Sequence, residues 1–152
     1  MVCMAPKAST KTPQVAARAY IFDKDNRILL VRMTDGENAW TVPRSNVAFG
    51  EHILDVAKRA ALEQAGIDVH PIGTLAVKED LADPEAGHAV FFEIVCYTVK
   101  DYTKPAGTKE CRWFALDGAM KAVASNEVRS LIAYYAKQND SGDIRLLNIG
   151  ME

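Results

Sequence analysis

The stretch that most constrains this chain runs from Trp40 to Ile67, WTVPRSNVAFGEHILDVAKRAALEQAGI. It reads as a loop of turn formers, then a helix over Glu51–Gly66, then a glycine stop. Gly66 stands where a left-handed helix cap falls, a conformation that costs glycine no Cβ clash. Within the helix Leu54, Ala57, Ala61 and Ala65 recur at helical spacing and are expected to pack inward. Glu51, Asp55, Arg59 and Glu63 form a second, polar stripe, on which an arginine between acids can hold both in place.

A helix with one apolar face needs a partner, and the flanking chain supplies strands. Gln14–Phe22 (QVAARAYIF) alternates weakly and reads as a strand, Asp23–Asn26 as a turn, and Arg27–Met33 as the returning strand. Arg18 and Arg32 lie on these strands, either as solvent-facing charges or as phosphate contacts. Thr34–Asn38 is a loop, and Pro43 disfavours a regular central strand at Trp40–Val42. Beyond the helix, Val69–Val77 reads as a strand interrupted by Pro71 and Gly73, and Lys78–Gly87 as a polar loop. His88–Val99 carries the strongest strand pattern, Asp101–Lys109 is a second loop, and Glu110–Leu116 is a further strand. Asp117 can cap a short helix. Ser125 or Asn126 can cap a longer one through Lys137, with Val128, Leu131, Ile132 and Tyr135 as its apolar stripe. The final IRLLNI is either a last strand or a dimer-forming tail. Residues 1–13 are small, polar and without period, so a disordered N-terminal arm is expected ahead of a single domain over residues 14–152.

Composition narrows the class. A chain of 152 residues suits one domain with a real core. The net charge of −2 argues against a surface that coats nucleic acid. Cys3, Cys96 and Cys111 show no metal-binding spacing and read as reduced thiols, so the expected location is cytoplasmic. No run approaches the roughly 18 apolar residues of a membrane span, and no signal-peptide core is visible. His52, His70 and His88 make no metal spacing on one element and read as ordinary polar residues.

The Trp40–Ile67 stretch resembles the box of the Nudix hydrolase family (MutT-like), which runs glycine, glutamate, Arg-Glu-x-x-Glu-Glu-x-Gly, then an aliphatic residue. Counted back from Gly66-Ile67, Glu63, Arg59 and Glu51 fall on motif positions. The box is degenerate at three places: Ala60 and Gln64 stand where the motif has glutamates, and Arg44-Ser45 stands where a glycine pair follows the proline. Trp40-x-Val42-Pro43 and the Trp113-Phe114 strand also match the family pattern, and the resemblance covers roughly residues 14–137.

The resemblance implies an α/β fold, a Nudix-type α/β/α sandwich with a mixed sheet. It also implies Mg or Mn chemistry on diphosphate linkages, with the positions of Ala60, Glu63, Gln64 and the Arg44 carbonyl holding metal. A divalent cation would neutralise phosphoryl charge and activate water. Of these positions only Glu63 keeps a carboxylate; Gln64 is a weak neutral donor. Rescue by Glu79, Asp80, Asp83, Glu85 or Glu93 is one alternative; the other is that these acids only solvate a loop. Arg44 can bind phosphate bidentately without metal, or can be a surface arginine on a remodelled loop. Arg59 and Glu51 either orient Glu63 or only stabilise the helix. Trp40 is a core anchor or a base-stacking platform. Ser45 sits beside Arg44 as a candidate ligand contact. The leading expectation is a protein that binds a nucleoside-diphosphate-linked or other phosphate-containing ligand, with hydrolysis lost or much reduced. The alternatives are an active, divergent Mg-dependent pyrophosphohydrolase using Glu63, and a non-catalytic RNA- or protein-interaction module. The acidic balance counts against RNA, and the apolar tail makes a homodimer an open expectation.

Overall fold

Alternation in QVAARAYIF predicts a strand over Gln14–Phe22. The computed structural model, which describes residues 12–33, 39–83, 87–147 and 149, has β1 at those bounds. β1 is buried from Ala16 onward because both of its faces are covered. Its turn to β2 (Ile28–Arg32) is built by Asp23, whose Oδ1 accepts from the main-chain N–H of Asp25 and Arg27 at 3.0 and 2.8 Å. Asn26 takes the left-handed conformation there, which a short amide side chain tolerates.

The chain then forms β3 (Trp40–Thr41), β4 (Arg44–Asn46), α1 (Ile53–Ala65), β5 (Val69–Asp83), β6 (Gly87–Thr98), β7 (Cys111–Phe114), α2 (Leu116–Ala122) and α3 (Asn126–Asp140). The sheet runs β3-β2-β1-β6-β5, with β4 on β1 and β7 on β2. β1 and β6 are parallel from Gln14↔Ala89 to Phe22↔Tyr97. The other pairs are antiparallel, so the sheet is mixed.

Alternate residues feed two cores. Ala17, Ala19, Ile21, Ile94 and Cys96 pack with Val56, Ala57, Ala61 and Ala65 of α1. Tyr20, Phe22, Leu30 and Val95 pack on the opposite face with Ala119 of α2 and Val128, Leu131, Ile132 and Tyr135 of α3. This is the expected α/β/α layering. Ser125 caps α3, its side chain accepting from the Val128 N–H at 3.2 Å.

Four expectations are corrected. Lys78–Asp83 is strand and not loop, because β5 continues past its bulges along β6. Arg44–Asn46, read within the loop, forms a short strand on β1. Glu51 lies ahead of α1, whose N-cap is His52. Arg18 does not face solvent; it is buried in ion pairs. At the C-terminus Leu147 makes an isolated bridge to Thr74 of β5, its N–H donating to the Thr74 carbonyl at 2.7 Å, so this part of the tail returns to its own sheet. The arm over residues 1–11 and the Thr34–Asn38 loop lie outside the described residues.

The C-terminal end of α1 is docked by the loop before β7. Gly66 takes φ 68, ψ 26 and its N–H donates to the Leu62 carbonyl at 3.0 Å. The freed carbonyls of Glu63 and Gln64 accept from the N–H groups of Thr108 and Lys109 at 3.2 and 3.1 Å, and Thr108 Oγ1 donates to Glu63 at 2.9 Å. This approach needs glycine twice. A Cβ on Gly107 would overlap the Gln64 and Ala65 main chain, and one on Gly66 would overlap Ala106 and Gly107. Gly66→Ala is expected to lose about 1–2 kcal/mol from the left-handed conformation alone, and Gly107→Ala about 1–3 kcal/mol from overpacking. Because both open one seam, the double variant should lose less than the sum. Calorimetric melting measures all three, and an unchanged melting temperature in either single variant would refute the docking.

Candidate functional site

The site is built where β4 meets α1. Among the described residues β4 pairs with β1 alone, Ala17 opposite Ser45 and Arg18 opposite Arg44. The Pro43 carbonyl accepts from Ala19 N–H and the Val47 N–H donates to Val15, both at 2.8 Å. The antiparallel alternation therefore turns the main-chain groups of Arg44 and Asn46 outward, where they need other partners. Two side chains of α1 supply them. Arg59 Nη2 donates to the Asn46 carbonyl at 2.9 Å. Gln64 takes Arg44: its Oε1 accepts from the Arg44 N–H at 3.3 Å, and its Nε2 donates to the Arg44 carbonyl.

Arg59 does more than cover that edge. Its Nε and Nη2 grip both oxygens of Glu51 at 2.9 Å, Nη1 donates to Ser45 Oγ at 2.8 Å, and Glu63 Oε1 stands 3.5 Å from Nη1. Glu51 also accepts from the Ala48 N–H at 3.1 Å. The Arg59 hydrogen bonds, helped by Ala48, hold the Glu51 carboxyl down to about 2. The planar guanidinium thus fixes loop, strand and helix together. The hydroxyl of Ser45, a residue expected as a ligand contact, accepts from Arg59.

On the helix, Ala60 is fully buried and presents only a methyl group. Glu63 keeps an exposed carboxylate with Arg59 as its neighbour. Among the described residues no three His, Cys, Asp or Glu side chains gather as a metal cluster. Glu79 instead pairs with His88, Oε2 to Nε2 at 2.8 Å. Glu93 lies on the other face of the sheet, fully buried, with its oxygens on Arg18 Nη1 at 3.0 Å and the Tyr20 hydroxyl at 3.2 Å. Burial pushes the Glu93 carboxyl up to about 7, while Arg18 and the Tyr20 hydroxyl pull it down. Glu85 and the Asp83 side chain lie outside the described residues.

On that same face Arg18 stacks on the Phe91 ring at 3.7 Å and pairs with Glu127 of α3 at 2.7 Å. The Arg44 guanidinium reaches to 5.4 Å from the same ring. Arg44 is exposed, and among the described residues no carboxylate pairs with it. Trp40 is in the core, edge-on to Phe114 at 5.2 Å, with Arg32 and Arg112 within 5.3 and 5.1 Å of its ring. Sequence reasoning missed Phe91, which looked like any strand aromatic, and Thr108, whose carbonyl partner is not a side chain.

A sequence model of the NUDIX domain matches residues 12–135. No match was found among the curated proteins. A NUDIX hydrolase from Nitrosomonas europaea superposes with a TM-score of 0.74 at 19% identity, over 91% of this chain and 78% of that one. The MutT protein from Methanosarcina mazei Go1 gives 0.67 at 19% identity, over 87% and 99%. The E. coli dihydroneopterin triphosphate pyrophosphohydrolase gives 0.68 at 17% identity, over 84% and 99%. No helix among the described residues is long and apolar enough to cross a membrane.

The Arg59 lock has a pH signature. A carboxyl held at about 2 in the folded chain, against an ordinary value of 4.5, contributes stability that is complete above about 4.5. That contribution is lost as pH falls through about 2. Glu51→Gln should therefore melt below the native protein at neutral pH, and the gap should close between pH 4.5 and 2. A gap that stays constant across that window would refute the assignment.

Proposed function

The chain belongs to the Nudix family, and from that premise we propose that it binds a phosphate-containing, nucleotide-derived ligand, with pyrophosphate hydrolysis lost or much reduced. Nudix hydrolases act on phosphate-containing, nucleotide-derived substrates, and the relatives above include a pyrophosphohydrolase. The observation that carries the reading is the donor set on α1. Magnesium prefers hard oxygen ligands in near-octahedral array, with carboxylates to balance its charge. Ala60 offers a buried methyl, Gln64 a neutral amide already paired with Arg44, and Glu63 one carboxylate beside Arg59. These residues do not fit a divalent cation. When bound in such a site, a cation polarises the phosphoryl group and lowers the pKa of its water. Without that, Glu63 alone has little means of activating water against an anionic phosphate.

Binding is a different matter. The change at Arg44 places a guanidinium where the family's glycine pair leaves none. Its planar fork matches phosphate oxygens in two parallel hydrogen bonds, with no cation needed. The nearby Phe91 ring and the ion-paired Arg18 hold that face in a fixed shape. The Arg59 lock ties loop, β4 and α1 together, so the scaffold that carries Arg44 is held without the motif carboxylates.

The competing reading, a divergent Mg-dependent hydrolase, draws on the exposed Glu63 and needs a second carboxylate from residues 79–93. Turnover of ADP-ribose, UDP-sugars and nucleoside triphosphates with magnesium or manganese separates the two readings. The native protein is expected at the uncatalysed background, with gain of activity only in the Ala60→Glu, Gln64→Glu double variant. Native turnover that matches or exceeds the double variant's and is abolished by Glu63→Gln would overturn the proposal. Titration calorimetry against the same panel tests binding, and Arg44→Ala should weaken the best ligand by about tenfold or more, the worth of a charged hydrogen bond. Failure of every panel member to bind would also overturn it.

A further inference from the structure

Gln64 fits one place in this molecule in a way that a glutamate would not. The outward main-chain groups of Arg44 are one donor and one acceptor, and the carboxamide offers one acceptor and one donor edge in matching order. Its orientation is set by that match, since the flipped amide would set N–H against N–H and oxygen against oxygen. The pairing is that of a strand edge, made by a side chain. An ionised glutamate of the same shape could accept from the Arg44 N–H, but its second oxygen would face the Arg44 carbonyl. Two acceptors in that position repel unless a cation or a proton lies between them.

We propose that the Gln64 carboxamide substitutes for a divalent cation at the β4–α1 junction, holding the Arg44 main chain by two hydrogen bonds and so keeping the loop ordered in the absence of metal. Its role is that of a positioning residue, acting through Arg44. For a cation to take both the Arg44 carbonyl and the residue-64 oxygen as ligands, the amide would have to turn and give up both bonds. Ala60 removes a carboxylate that could favour that exchange, and Glu63 is the carboxylate left beside it, with Arg59 as its neighbour. The carbonyls of Glu63 and Gln64 are already held by Thr108 and Lys109, so the helix end that carries Gln64 is fixed independently. The ligand would then be taken as its metal-free anion, a consequence that rests on the binding reading above. The test of the positioning role needs no ligand.

Melting of the full chain is measured in EDTA and in manganese chloride, with the electron paramagnetic resonance signal of free manganese as a second readout. The native protein should melt at one temperature in both conditions and leave the free-ion signal intact. Gln64→Ala should melt lower in both. Gln64→Glu should melt lower in EDTA, rise by about 2–4 °C with manganese and diminish the free-ion signal. Acidification should also restore Gln64→Glu relative to Gln64→Ala, because a protonated carboxyl again offers one donor and one acceptor. Manganese binding by the native chain would overturn the proposal. So would a native-like melt for Gln64→Ala, or indifference to manganese in both Gln64→Glu and the Ala60→Glu, Gln64→Glu double variant. Absence of nucleotide binding with these shifts intact would sink the function proposed above and leave the role of Gln64 standing.

Discussion

The outer edge of β4 is the constraint on which the rest of the site depends. A short strand paired on one side exposes alternate N–H and C=O groups, which take water or side chains as partners. No strand among the described residues covers this edge. α1 covers it with two side chains five positions apart on the helix, Arg59 at Asn46 and Gln64 at Arg44. For both to reach, the helix must lie close against the sheet. Ala57, Ala61 and Ala65 permit that approach, because small side chains on the buried face bring the backbones together. The glycine seam at Gly66 and Gly107 then fixes how far along its axis the helix can slide. The small residues, the lock and the seam answer one requirement.

Much of this was legible because it is local. The helix stripe, the Gly66 cap, β1 and the α3 cap follow from spacing and backbone chemistry over a few residues, and each lies where its signal put it. What escaped the sequence depends on distant partners. Lys78–Asp83 is polar and was read as a loop, yet the pairing with β6 makes it strand, and β propensity on an edge strand yields to such pairing. Arg18 looked like a surface charge because its partners Glu93 and Glu127 are far along the chain. Charge is visible in a sequence; the counter-charge that permits burial is not. The departures at Ala60, Gln64 and Arg44 were legible as substitutions, but only the fold shows that Gln64 and Arg44 touch.

The two faces of the sheet divide the electrostatics. On the α1 side Arg59 gathers Glu51 and Glu63 at a partly exposed junction, and its hydrogen bonds hold the Glu51 carboxyl below the ordinary carboxylate range. On the opposite side Arg18 gathers Glu93 and Glu127 around Phe91, and burial works against ionisation of Glu93. Buried pairs of the second kind contribute little net stability, since desolvation offsets most of their attraction. Arg44 belongs to both regions. Its main chain is held from the α1 side and its guanidinium reaches toward Phe91 on the other.

That dual position makes the substitutions at 44 and 64 one change rather than two. A long cationic side chain at a position meant for glycine is useful only if its backbone is fixed, since a mobile loop would spend ligand affinity on ordering the arginine. A metal could fix the backbone, but it would add positive charge to the edge of β4. A neutral amide fixes the same carbonyl and adds no charge. On the proposed reading Arg44, with its main chain held by Gln64, is the cation offered to a phosphate. The loss of charge on the helix and its gain on the loop thus meet at one place, the pairing of Gln64 with the Arg44 main chain on the edge of β4.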